Sequence, residues 1–350
     1  MKTRRHFFRN LFGVSTVSLF PFSTVARIIE APHHLMTIKP NRLKIGDTIG
    51  LIAPASAIKE DVLEAAKETL RSLGFIPYHT HRILGNHGYF SNTDEERATD
   101  LNEMFANPNV HGILCARGGY GCTRIMQSID YDLIKKNPKV LLGFSDITAL
   151  ANGIYKKTGL ITFHGPVGST LNNEYSIEQL ENILITPKDN LRIENVSLDD
   201  TQMKDSEFER YTINSGKATG KLVGGSLTLI TAMIGTPHEI DFTGTIVCIE
   251  DVEEAPYRMD RMLTQLLEGP TFKKAAAVML GVSKGCDKPP KPDGFTLKEV
   301  MIDRIKPLNI PAAYGMSFGH VDHNFTIPIG IAATFDADAM TLDLLETAVK

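Results

Sequence analysis

Lys139-Val-Leu-Leu-Gly-Phe-Ser-Asp-Ile-Thr148 joins an apolar run to a helix-compatible one, and Ser145 stands at the junction. Residues 140–144 read as a short strand. Over residues 146–157 the apolar side chains Ile147, Leu150, Ala151 and Ile154 recur at helical spacing. A serine on such a strand-to-helix turn sits at the carboxyl edge of a parallel sheet. That edge borders the crevice where open α/β folds carry out their chemistry. The first amides of the helix lack partners within it and suit the stabilisation of an oxyanion. Taken alone, Ser145 reads more readily as a plain N-cap.

Working outward, residues 48–52 read as a strand closed by Ala53-Pro-Ala-Ser56. Residues 59–73 place Val62, Ala66, Leu70 and Leu73 on one helical face, with Gly74 as the stop. A strand at 75–79, a helix at 93–105, a strand at 110–116, the turn Arg117-Gly-Gly-Tyr-Gly121 and a helix at 123–129 follow. This alternation predicts an α/β fold with a parallel sheet covered on both faces. Residues 43–172 form the expected N-terminal domain, and the polar stretch 173–216 reads as a linker. Residues 217–345 form a smaller C-terminal α/β domain. Its expected helices lie at 227–234, 257–267 and 297–305, and its strands at 245–249 and 275–281.

The chain has 350 residues, 42% hydrophobic and 22% charged, which is enough for two cores. A formal net charge of -4 argues against nucleic acid or an anionic membrane as the main partner. Residues 1–26 stand apart. The basic stretch Thr3-Arg-Arg-His-Phe-Phe-Arg9 precedes an uncharged, weakly apolar segment ending in Thr24-Val-Ala26. This resembles a twin-arginine export signal and predicts a periplasmic protein, or a cytoplasmic one if the signal is not used. The apolar run is interrupted by Pro21 and is too short for a membrane span. Of the four cysteines, Cys115 and Cys248 lie in apolar runs and read as buried thiols; Cys122 and Cys286 complete the set. No Cys-x-x-Cys or His-x-x-x-His ligand set appears, so neither metal nor cofactor is expected.

Two further residues complete a chemical set. Glu250 follows the apolar run Thr245-Ile-Val-Cys-Ile249, and His320 lies in the glycine-flanked loop Gly315-Met-Ser-Phe-Gly-His-Val-Asp-His-Asn324, with His323 as its competitor. The order nucleophile, acid, histidine is one that serine hydrolases use. A serine hydroxyl attacks poorly until an imidazole takes its proton, and the imidazole needs an acid to fix its tautomer and stabilise its charge. The glycine-rich turn at 117–121 lets backbone N–H groups approach a ligand. It is no dinucleotide loop, because Arg124 stands where the third glycine would be.

Ala53-Pro-Ala-Ser56, Arg117-Gly-Gly-Tyr-Gly121, Gly143-Phe-Ser-Asp146, His164-Gly-Pro166, Gly224-Gly225, Ile249-Glu-Asp251, Tyr257-Arg258 and Gly319-His320 together resemble the L,D-carboxypeptidases of peptidase family S66. The resemblance runs in order from about residue 43 to 335. It implies a glutamine-amidotransferase- or flavodoxin-like N-terminal domain and a Ser-Glu-His triad of Ser145, Glu250 and His320. The implied oxyanion hole is formed by the amides of Gly119 and Asp146. The implied substrate is a murein tetrapeptide, cut between meso-diaminopimelate and the terminal D-alanine. Arg117 and Arg258 are candidates for its carboxylate, and Tyr120 and Ser226 for further contacts. Ser226 departs from the family, where asparagine is expected.

Two other readings use the same residues. The microcin-immunity branch of S66 hydrolyses aminoacyl-nucleotide antibiotics and stacks the base on a tryptophan. This chain has no Trp, although Tyr175 or Phe208 could substitute. A periplasmic binding protein would need no nucleophile. The sequence leaves the oligomeric state open, a homodimer included.

Overall fold

The strand–helix alternation of the first half builds one sheet and that of the second half another. The computed structural model describes residues 36–288 and 293–350; the expected signal at 1–26 lies outside them. The first half runs β1 (Thr48–Ile52), α1 (Glu60–Ser72), β2 (Ile76–Tyr78), α2 (Asp94–Ala106), β3 (Gly112–Cys115), α3 (Cys122–Ile125), α4 (Tyr131–Lys136), β4 (Val140–Leu142), α5 (Ile147–Thr158) and β5 (Thr162–His164). These strands lie in the order β5-β4-β3-β1-β2, all parallel. Every residue of β3, β4 and β5 is buried, which is why they read as unbroken apolar runs. α1 buries Leu63, Ala66 and Leu70. α2 starts on a capping box between Thr93 and Glu96. α5 ends on Gly159, whose φ of 80° suits the left-handed cap.

The second half continues through α6 (Glu174–Leu180), β6 (Arg192–Ile193), β7 (Tyr211–Asn214), β8 (Lys217–Ser226), α7 (Leu227–Ala232), β9 (Thr245–Glu250), α8 (Pro256–Glu268), β10 (Ala277–Val282), α9 (Leu297–Ile305), β11 (Ala312–Gly319), β12 (Ile327–Ile329), β13 (Ala332–Asp336) and β14 (Thr341–Leu344). Eight strands form the second sheet in the order β6-β14-β13-β8-β9-β10-β11-β7. Its centre, β8 to β11, is parallel, and its flanks are antiparallel.

Two features differ from the sequence expectation. The stretch 173–216, expected as a linker, contains α6, β6 and β7, and the two strands form opposite edges of the second sheet. Its polar composition is that of half-solvated edge strands, as the mixed burial of β7 illustrates. The second is β12, which leaves the second sheet altogether. It pairs antiparallel with β5, Ile327 opposite His164, and makes the sixth strand of the first sheet. The loop after β11 therefore crosses from one sheet to the other. All four cysteines are buried and unpaired.

Candidate active site

Ser145 lies three residues beyond β4 with φ 64°, a left-handed conformation that costs an L-residue about 1–2 kcal/mol. The strain turns the chain sharply between strand and helix. The N-cap alternative is set aside, because the cap position of α5 falls to Asp146. Ser145 contributes only its carbonyl, which accepts from the Thr148 N–H at 2.9 Å. Asp146 does not cap its own helix either. Its buried carboxylate accepts from the Cys122 N–H at 2.7 Å, tying the Ser145 turn to the start of α3.

The glycine loop packs directly on this turn. A Cβ on Gly118 would lie 2.8 Å from the Cβ of Ser145 and 3.1 Å from its Oγ, so glycine is needed for the approach. Gly119 and Gly121 have φ of 113° and 122°. Ser56 clamps the loop on its other side. Its N–H donates to the Gly118 carbonyl at 3.4 Å, and its Oγ accepts from the Tyr120 N–H at 3.2 Å. Arg97, wholly buried, donates to the carbonyls of Pro54 and Gly121 and pairs with Asp94. Among the described residues neither the Gly119 nor the Asp146 N–H donates a hydrogen bond, so both amides remain available to a ligand.

Glu250 is the last residue of β9 and is fully buried. Its Oε2 lies 2.7 Å from Nδ1 of His320, which directly follows β11. Burial opposes the charge of Glu250, but the neighbouring His320 and its hydrogen bond hold the carboxyl below its ordinary value. Burial likewise pushes the His320 ring down, and the Glu250 charge outweighs it, raising the imidazole above its ordinary 6.5. Gly319 makes the contact sterically feasible: a Cβ there would lie 2.8 Å from both Cβ and Oε2 of Glu250. His323, the competitor, packs against Tyr175 instead, with ring centroids 6.1 Å apart. Asp251 also points elsewhere, accepting from the Thr228 N–H and hydroxyl at 2.7 and 2.9 Å. Burial raises its carboxyl to about 6.

Phe144 links the two halves, its ring centroid 4.8 Å from that of His320. His320 thus packs against the residue immediately before Ser145. Ser145 and His320 share no hydrogen bond among the described residues. Geometry of this kind tightens when substrate binds.

The substrate-contact candidates separate by environment. Arg117, two residues beyond β3, is exposed and makes no ion pair among the described residues. Arg258 is engaged, pairing with Glu254 at 3.3 Å and donating to the Tyr257 hydroxyl at 3.2 Å. Tyr120 is 52% exposed and lies edge-on to Tyr89, ring centroids 5.5 Å apart. Ser226 is buried beside Glu250 at the end of β8, its N–H donating to the Thr148 hydroxyl at 3.0 Å. Sequence reasoning assigned no role to Ser56 or Arg97. Ser56 closes the stretch Ala53-Pro-Ala-Ser56, whereas no local signal marks a helical arginine as buried.

Comparison with known proteins places the chain in a family. The LD-carboxypeptidase N-terminal domain of peptidase family S66 matches residues 49–165, and the LD-carboxypeptidase C-terminal domain matches residues 219–335. A probable murein peptide carboxypeptidase of Bacillus subtilis is 36% identical over 87% of this chain and 94% of its own. A muramoyltetrapeptide carboxypeptidase from Oxalobacter formigenes superposes with a TM-score of 0.73 at 28% identity, covering 85% of this chain and 98% of that one. The microcin C7 self-immunity protein MccF of Escherichia coli is 28% identical over 87% of this chain and 94% of its own. A solved MccF structure superposes with a TM-score of 0.79, covering 89% of this chain and 100% of that one.

Proposed function

Because the chain belongs to the LD-carboxypeptidase family, peptidase S66, we propose that it is a serine carboxypeptidase acting on murein peptides. In this reading it removes the terminal D-alanine from a tetrapeptide stem at the bond to meso-diaminopimelate. The observation that carries it is the 2.7 Å contact between Glu250 and His320, packed against the strained turn that presents Ser145.

The chemistry follows from these groups. Nδ1 of His320 is committed to Glu250, which leaves Nε2 to take the Ser145 proton as Oγ attacks the carbonyl carbon. Glu250 stabilises the imidazolium that forms. The N–H groups of Gly119 and Asp146 receive the developing oxyanion. His320 then protonates the departing D-alanine amine, leaving an acyl group on Ser145. Water, deprotonated by the same imidazole, releases the shortened peptide. Arg117, exposed and without an ion pair among the described residues, is the better-suited guanidinium for the terminal carboxylate.

Mass spectrometry of purified protein incubated with tripeptide, tetrapeptide and pentapeptide stems tests the specificity. Loss of one alanine from the tetrapeptide alone is expected; shortening of all three stems would overturn it. Ser145→Ala should lower turnover about 10³-fold or more while leaving ligand binding intact. Equal D-alanine release by variant and parent would discard the mechanism.

The TM-score of 0.79 to MccF favours a second reading, hydrolysis of an aminoacyl-nucleotide analogue. Cleavage of an aminoacyl sulfamoyl adenosine in preference to the tetrapeptide would select it. The twin-arginine-like start supports action outside the cytoplasm. Fractionation of cells carrying the parent chain or an Arg4→Lys/Arg5→Lys variant tests this, with retention of the variant in the cytoplasm as the expected result.

A further inference from the structure

A second histidine lies behind the Glu250–His320 pair. His164 ends β5 and is fully buried, and neither of its ring nitrogens has a hydrogen-bond partner among the described residues. Its Nε2 stands 4.0 Å from Oε1 of Glu250, the carboxylate oxygen that is itself buried and unpartnered. A potential donor and an acceptor therefore face each other about 1 Å beyond hydrogen-bonding reach. Buried polar atoms left unpaired on both sides of one gap are rare and need a reason.

The surroundings set the state of the ring. Burial drives the imidazole down to about 4, so it is neutral and carries one proton. On the Nδ1 side it meets the backbone of Gly225, where a Cβ would lie 2.8 Å from Nδ1 and closer still to the Thr148 hydroxyl oxygen. That oxygen already accepts from the Ser226 N–H and makes no hydrogen bond to the ring. An α-carbon accepts no hydrogen bond, whereas the carboxylate on the Nε2 side does. The proton is thus favoured on Nε2. Phe144 and Phe318 hold the ring edge-on, at centroid distances of 6.1 and 6.4 Å. Neither aromatic ring competes for the donor.

We propose that His164 is a positioning residue for Glu250, turning its Nε2–H onto Oε1 so that the carboxylate keeps Oε2 on His320. One oxygen then serves each imidazole, and the carboxylate cannot rotate away while His320 carries the transferred proton. His164 itself meets no substrate, so its effect falls on kcat. The inference rests on the reading of Ser145, His320 and Glu250 as the reacting set.

The test compares three substitutions. Glutamine at 164 reaches far enough to offer an N–H near the Nε2 position, the amide of asparagine reaches only the Nδ1 position, and leucine offers none. His164→Leu and His164→Asn should lower kcat about tenfold or more, with KM within about twofold of the parent. His164→Gln should stay within about threefold of the parent. Parent-like turnover in His164→Leu overturns the proposal, as does an equal loss in the leucine and glutamine variants. Nitrogen-15 NMR of the histidine-labelled parent protein decides the case even where the variants fail to fold. The expected spectrum has His164 protonated at Nε2 and bare at Nδ1 between about pH 5 and 8; the opposite tautomer or a charged ring overturns the inference. If Ser145→Ala cleaves like the parent, the triad reading fails, while the tautomer measurement still decides the contact to Glu250.

Discussion

Oε2 of Glu250 lies 2.7 Å from Nδ1 of His320, the carboxylate wholly buried and the imidazole 20% exposed. The asymmetry suits a proton carrier. An acid excluded from water holds a fixed orientation and a strong field, while the histidine keeps one edge open to whatever enters the site. The contact also requires a glycine at 319, since any side chain there would occupy the same space.

Glu250→Gln tests the acid with little change of shape. The amide cannot stabilise the imidazolium and can present an N–H where an acceptor is needed, favouring the wrong tautomer. A loss in kcat of about 10²–10⁴-fold is expected. Steady-state kinetics on the tetrapeptide measures it, and a loss below about threefold would remove Glu250 from the reacting set.

Ser145→Gly separates stability from activity. Glycine adopts the φ of 64° without penalty. The variant should gain about 1 kcal/mol from relieved strain, less the added entropy of its unfolded chain, while losing turnover. Denaturant melts alongside activity assays check both. A loss of stability greater than about 1 kcal/mol, the entropic cost of a glycine, would show that the turn stores no strain.

The pH profile follows from the direction of the His320 shift. Glu250 favours the charged ring, so its pKa lies above the ordinary 6.5. A general base must be neutral, so kcat/KM should fall as pH drops through this raised value, placing the acid limb above pH 6.5. The stability contributed by the charged pair runs the other way. It is fully present between 4.5 and 6.5, and is lost as pH rises through the folded-state value of His320 or falls through that of Glu250. A profile flat down to about pH 5 would contradict the assignment.

Gly319→Ala should damage both fold and function. Its φ of 108° lies where alanine is strained, and its Cβ would collide with Glu250. A destabilisation of about 1–3 kcal/mol and a drop in kcat of at least about tenfold are expected, read by denaturant melts and kinetics. Parent-like values for both would mean that the loop relaxes freely.

Much of the architecture is local and therefore legible. The helix expected at 297–305 is α9 itself, and that at 257–267 differs from α8 by one residue at each end. Both carry an apolar face at a regular period, and Thr296 starts α9 with a capping box. Boundaries shifted where tertiary pairing decides them. β4 stops at Leu142 because the chain must bend to reach Ser145. The run at 123–129 divides into α3 and a 3-10 turn at Met126–Ser128. The polar stretch at 173–216 read as linker because its edge strands lack a strong apolar period.

The chain alone determined the strand-to-helix turn at Ser145, the glycine loop at 117–121 and the acid ending an apolar strand. Each is written in neighbouring residues, where backbone preference and apolar periodicity act. The residues by themselves left His320 and His323 as competitors, and only the family resemblance favoured His320. The tertiary structure brings His320 to Glu250 and sets His164 behind them. Those contacts depend on β12 crossing to pair with β5, which carries the loop after β11 towards the Ser145 turn. Pairing between distant segments depends on which surfaces are buried together, and no local pattern of residues encodes it.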